Sequence, residues 1–224
     1  MGISKLPGKV LTAVYLLTEL VLFGFVLTAD GELLIWSSYL SIVLCFLFAL
    51  IHVKQGSKLI IGGLALTVAA DFCLVVCSPI QQVWGMVFFL GAQILYATLL
   101  HVPGSRKLLI FRLGLSVLAM MIAVLVLGKK TDALALISVC YYANLIVNIL
   151  AAFTRFLEYP LFAVGLVLFI LCDTVIGLQV ASGGYLPIPE GSVLHQILFV
   201  DFNLAWFFYL PSQVLISLTG RNKR

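Results

Sequence analysis

Four carboxylates stand inside long apolar stretches of this sequence: Glu19, Asp71, Asp173 and Asp201. A carboxylate at the centre of a bilayer costs about 2.5–3.5 kcal/mol on insertion scales, so each one needs a partner, a proton or a task. Asp71 and Asp173 are the pair whose placement points to joint chemistry. Each falls 13 residues after the start of its apolar segment, at positions 58 and 160. In two helices running the same way, that is one common depth, roughly 20 Å from the end at 1.5 Å per residue. Two carboxyl groups sharing a dry interior suit acid–base work, one keeping its proton while the other stays ionised. The spacing does not make the two helices neighbours; that is left to the fold.

Other polar side chains fall at helical spacing in the same stretches. Gln93 and Tyr96 share one face, as do Tyr141, Asn144 and Asn148, and so do Tyr209 and Gln213. Interhelical hydrogen bonding, worth about 1 kcal/mol or less each, is the ordinary use of such groups in a membrane bundle. His52, His101 and His195 lie at the ends of apolar runs. Two aspartates and a distant histidine form no metal-ligand pattern, so no metal is expected. No nucleophile elbow or phosphate-binding glycine loop is present, and no cofactor is expected. Cys45, Cys73, Cys77, Cys140 and Cys172 all fall in apolar runs and read as small apolar residues rather than a disulfide framework.

The elements that must position these groups are membrane helices. Hydrophobic residues make up 63% of the 224 and charged residues 10%, against about 25% charged in soluble domains. Apolar runs of about 20 residues, without the two-residue alternation of barrel strands, require helices. Breaks between runs predict eight transmembrane helices in one all-α bundle and a single domain over 1–224. Their expected bounds are 9–28, 33–53, 58–77, 82–101, 107–127, 132–153, 160–180 and 193–218. Pro160 suits a first helical turn, and Pro211 predicts a kink in the last helix. The first run is too long for a signal-peptide core and is expected to stay as helix. Eleven of the 13 Lys and Arg fall at the N-terminus, after segments 2, 4 and 6, and at the C-terminus, while Lys129 and Lys130 fall on the other side. By the positive-inside rule both termini are cytoplasmic. The expected location is multi-pass, in a bacterial cytoplasmic membrane. A net charge of +4 gives no reason to expect nucleic acid.

The order Ala70-Asp71-Phe72-Cys73-Leu74, Gln93-Ile94-Leu95-Tyr96, Leu168 to Thr174 around Asp173, and Tyr209-Leu210-Pro211-Ser212-Gln213 resembles the YhhN-like lysoplasmalogenase family over nearly the whole chain. Two positions depart from it: Ala70 stands for the family's usual glycine and Gln93 for its usual histidine. The resemblance implies hydrolysis of the vinyl ether bond of a lysoplasmalogen, with a membrane lysophospholipid as substrate. Asp71 and Asp173 would be the catalytic pair. Gln93, Tyr96, Tyr209 and Gln213 would position water and substrate oxygens, and Asn144, Asp201 and Glu19 could line the site. A proton-coupled carrier or lipid translocator is the alternative, and a packing scaffold a third. The 102-residue offset between Asp71 and Asp173 hints at a parallel four-plus-four repeat.

Overall fold

The computed structural model describes residues 8–52, 57–101, 106–183 and 188–219. Among them every regular element is helical. The α-helices are α1 (Gly8–Thr28), α2 (Gly31–Ile51), α3 (Lys58–Asp71), α4 (Gln82–Leu99), α5 (Arg106–Leu127), α6 (Ala133–Thr154), α7 (Pro160–Ser182), α8 (Val193–Leu198) and α9 (Leu204–Thr219). Seven of them, α3 being counted with the turn that continues it, are long and apolar enough to cross a membrane, and α9 is a shorter apolar helix. The chain is a multi-pass helical membrane protein. Pro160 occupies the first position of α7, where its missing N–H would have had no helical acceptor.

Two elements differ from the sequence expectation. The segment expected as one helix over 193–218 is two, α8 and α9, separated at 199–203. Local polar groups compete with the helical backbone there. Ser192 accepts the His195 N–H at 3.2 Å and opens α8, and Asn203 accepts the Trp206 N–H at 3.3 Å to open α9. Asp201 is consequently an exposed residue of the connection and not a helical one. The second difference follows Asp71. The helix does not continue as α to position 77 but widens into a π-helical turn over Phe72–Val76. Lys5, Lys54, Arg221, Lys223 and Arg224, which carry part of the orientation argument, lie outside the described residues.

Helix packing is set by glycines that admit a neighbour. A Cβ on Gly63 would stand 2.2 Å from the Tyr96 ring, and one on Gly165 would stand 2.9 Å from Ile216. These contacts seat α3 against α4 and α7 against α9, the two most extensive helix pairs. They are also equivalent. Gly63 and Gly165 are 102 positions apart, as are Asp71 and Asp173 and also Tyr39 and Tyr141. Tyr96 and Ile216 are 120 apart, as are Gln93 and Gln213 and also Phe89 and Tyr209. The hinted repeat therefore extends to packing: α2–α4 correspond to α6, α7 and α9. The halves interlock, since α4 packs on α6 and α9 on α2. Phe89 and Tyr209, equivalent positions, meet with ring centroids 6.4 Å apart.

Candidate functional site

Asp71 ends α3, and its side chain is buried. Tyr209 of α9 donates its phenol O–H to Asp71 Oδ2 at 2.6 Å. Asp173 of α7, half-buried, has the matching arrangement: Tyr141 of α6 donates to its Oδ2 at 2.5 Å. Each aspartate is thus held through one oxygen by a phenol from another helix, and Oδ1 of each makes no protein hydrogen bond among the described residues. The two units lie side by side, since the rings of Tyr141 and Tyr209 both pack against Phe89 and Phe169. The depth match read from the sequence is joined by lateral proximity, which no spacing could supply.

Aromatic rings link the two tyrosines that hold the pair. Phe169 sits 5.4 Å from the Tyr209 ring and 6.3 Å from the Tyr141 ring, and Phe89 lies 5.6 Å from Phe169 and 5.8 Å from Tyr141. Fixing both phenols by packing fixes both carboxylates, because a ring held on its faces has little freedom to withdraw its hydroxyl. The π-helical turn begins at the residue after Asp71, and such turns are frequent at functional sites because they re-aim side chains out of the helical register. Tyr39, partly buried on α2, sets its ring 6.0 Å from that of Phe72, the residue after Asp71. It stands where Tyr141 stands in the second half. The sequence argument missed Tyr39, although the 102-residue offset that links the aspartates would have found it.

The polar side chains beyond the pair form a separate layer. Gln93, Tyr96 and Gln213 are fully buried. Gln93 and Gln213 each fall four residues past Phe89 and Tyr209, one turn further along α4 and α9. Asn148 donates its amide to the side-chain oxygen of Gln93 at 2.8 Å and to its backbone oxygen at 2.9 Å. Arg112 of α5 in turn donates to Asn148 Oδ1 at 2.8 Å and to Asn144 Oδ1 at 2.9 Å. Asn144 is therefore engaged with Arg112, Ser116 and Cys140 rather than with either aspartate. In the sequence Arg112 is one of the eleven basic residues that make up the charge bias.

Two expected lining residues lie elsewhere. Glu19 is buried but is held by Ser41 at 2.5 Å and by the Cys45 thiol at 3.7 Å, in a cluster of α1 and α2. Asp201 is exposed in the connection before α9. A groove of about 490 Å³ runs along the outer face of α5, lined by Ile110, Leu113, Gly114, Val117, Leu118 and Met121. Its walls carry none of the groups described above, and its apolar lining is that of a lipid-facing surface. Among the described residues no three His, Cys, Asp or Glu side chains gather to hold a metal ion.

The YhhN family model matches residues 33–220, and the chain belongs to that family. The match takes in both aspartates, both tyrosines and Gln93, and leaves α1 with Glu19 outside it. No curated protein and no solved structure matches the chain significantly.

Proposed function

We propose that this YhhN-family chain is a membrane-embedded lipid hydrolase that cleaves the vinyl ether bond of lysoplasmalogens, with Asp71 and Asp173 as its catalytic residues. The observation that carries the reading is the doubled carboxylate–phenol unit. Two aspartates, whose phenol partners pack on the same pair of phenylalanine rings, are each tied through Oδ2 to a tyrosine, so Oδ1 of each is left for substrate and water.

The chemistry needs two carboxyl groups in different protonation states. The protonated one delivers its proton to the alkenyl carbon furthest from the ether oxygen, giving an oxocarbenium ion beside the remaining carboxylate. Water adds to the cationic carbon and passes a proton to that carboxylate. The resulting hemiacetal collapses to a fatty aldehyde and a glycerophospho-alcohol, and one proton moved between the aspartates resets the pair. Water and vinyl ether are consumed in equal amounts, and no proton is gained or lost overall. The phenols hold the carboxylates in line, and the aromatic wall keeps the cation from bulk water. Gln93 and Gln213 lie one turn beyond Phe89 and Tyr209, Tyr96 lies nearly a further turn along α4, and the three would orient the water and the glycerol oxygens. Asp173 is the more accessible of the two.

The same reading assigns eight crossings, α9 being the eighth, with both termini cytoplasmic in a bacterial cytoplasmic membrane. The 16 residues of α9 extend about 24 Å at 1.5 Å per residue, short of a full core by a few residues that the preceding connection makes up. A second reading, proton-coupled transport, draws support from the internal repeat, which many transporters share. Purified protein incubated separately with lysoplasmalogen, plasmalogen and ester lysolipid decides between them. Aldehyde from the first alone is the expected result; no product from any of the three would leave the transport reading.

A further inference from the structure

Arg112 is a half-buried cation within an apolar helix, and its described hydrogen bonds go to neutral groups only. That has a consequence for direction. A guanidinium can only donate, so the Asn148 atom it meets at 2.8 Å is the amide oxygen. The Asn148 nitrogen then points the other way, and at 2.8 Å it must donate to the oxygen of the Gln93 side chain. Gln93 is left with its own nitrogen buried and with no acceptor among the described residues. A charge at the edge of the bundle thereby dictates, two side chains away, that the interior sees Gln93 as a donor.

The surroundings of that donor are equally unsatisfied. Tyr96 Oη, Ser212 Oγ and both polar atoms of Gln213 are buried and make no hydrogen bond among the described residues. Buried polar groups in a membrane protein lose several kcal/mol if left unpaired, on the order of 2–7 kcal/mol for an amide or hydroxyl moved out of water. Gln93 and Gln213 occupy equivalent places in the two repeats, one turn beyond Phe89 and Tyr209, whose rings are 6.4 Å apart. The two halves thus bring paired amides toward one interior layer.

We infer that Arg112 is a positioning residue that, through Asn148, holds Gln93 as a hydrogen-bond donor to an oxygen-bearing guest in the layer of Gln93, Tyr96, Ser212 and Gln213. The guest is a hydroxyl oxygen, from water or from the glycerol of a lysolipid. This layer begins one helical turn beyond Phe89 and Tyr209 and does not include the aspartates. Its consequence for rate rests on the proposed hydrolase; its existence does not.

The test is a structure of the purified, lipid-free protein at a resolution that shows ordered water. An oxygen within about 3.2 Å of Gln93 Nε2 is expected, and in Arg112→Leu it should be lost or moved by more than about 1 Å. If it appears only when lysolipid is added, the guest is the lipid hydroxyl. No oxygen at Gln93 with or without lysolipid, or one unmoved in Arg112→Leu, overturns the inference. Should Arg112→Leu fail to fold, Asn148→Asp serves. It keeps an acceptor for Arg112 but cannot donate to Gln93, so a purely structural role would leave folding and rate intact. Holding Gln93 as donor predicts instead a loss of kcat/KM of about tenfold, shrinking to less than about twofold in a Gln93→Leu background. Equal losses in both backgrounds would overturn it. If no lipid is hydrolysed at all, the hydrolase reading falls while the oxygen at Gln93 still decides this one.

Discussion

Tyr209 on α9 donates its hydroxyl to Asp71 on α3 at 2.6 Å, a bond that spans 138 positions of the chain. Its counterpart is shorter in sequence and joins Tyr141 to Asp173. The residue equivalent to Tyr209 in the first half is Phe89, which has no hydroxyl to offer. The second aspartate is therefore held by a tyrosine from within its own half, and the first by a tyrosine from the other half. The two halves are similar in build and unlike in their bonding.

Asp71→Asn and Asp173→Asn should each abolish aldehyde release from lysoplasmalogen while the protein still purifies as a folded species. Asparagine keeps the shape and can still accept from the tyrosine, but it can neither deliver nor take the proton that the reaction needs. Full activity in both variants would remove the pair from the mechanism.

Tyr209→Phe and Tyr141→Phe should lower kcat more than they raise KM, by roughly 10- to 100-fold, since a positional error of an ångström costs about that much. The repeat adds a sharper expectation. Phe89 sits 5.8 Å from the Tyr141 ring, at the place equivalent to Tyr209. Phe89→Tyr should therefore restore part of the activity lost in Tyr141→Phe and none of that lost in Tyr209→Phe. Equal recovery in both backgrounds would contradict the assignment of halves.

Gly63→Ala should destabilise the bundle by about 1–3 kcal/mol, the usual cost of forcing an extra methyl into a packed core. The added carbon would meet the Tyr96 ring at 2.2 Å. Thermal unfolding in detergent measures the loss, and Tyr96→Leu in the same chain should recover most of it. Gly24→Ala, whose added carbon meets nothing within 4 Å, is the control that should be neutral.

Glu19→Gln should leave aldehyde release within about threefold of the parent. Its carboxylate is engaged by Ser41 and Cys45, and the neutral amide can still accept from the serine while removing a buried charge. A loss as large as that of Asp71→Asn would bring α1 into the reaction.

Much of the fold was legible because hydrocarbon leaves the backbone few choices. Six helices, and α3 counted together with its π-helical turn, fall within about three residues of their expected bounds, each set by an apolar run and its break. The break in the eighth segment is marked only by Asp201 and Asn203 within an otherwise apolar run, and it is the Asn203 cap that opens a new helix there. The π-helical turn after Asp71 leaves no mark in the apolar pattern, which runs on through Phe72–Val76 unchanged.

The candidate site divides along the same line. Residue type and depth are properties of one helix at a time, so Asp71 and Asp173 could be chosen as a pair from spacing and from the cost of a buried charge. Lateral order, rotation and bonding direction involve two or more helices at once. Only the packed bundle decided that Tyr209 serves Asp71, that Glu19 turns away to Ser41, and that Arg112 reaches Gln93 through Asn148. The physical reason is that a helix in lipid is free to rotate until its neighbours fix it. Sequence determined which groups are buried, and tertiary contact determined what each of them faces.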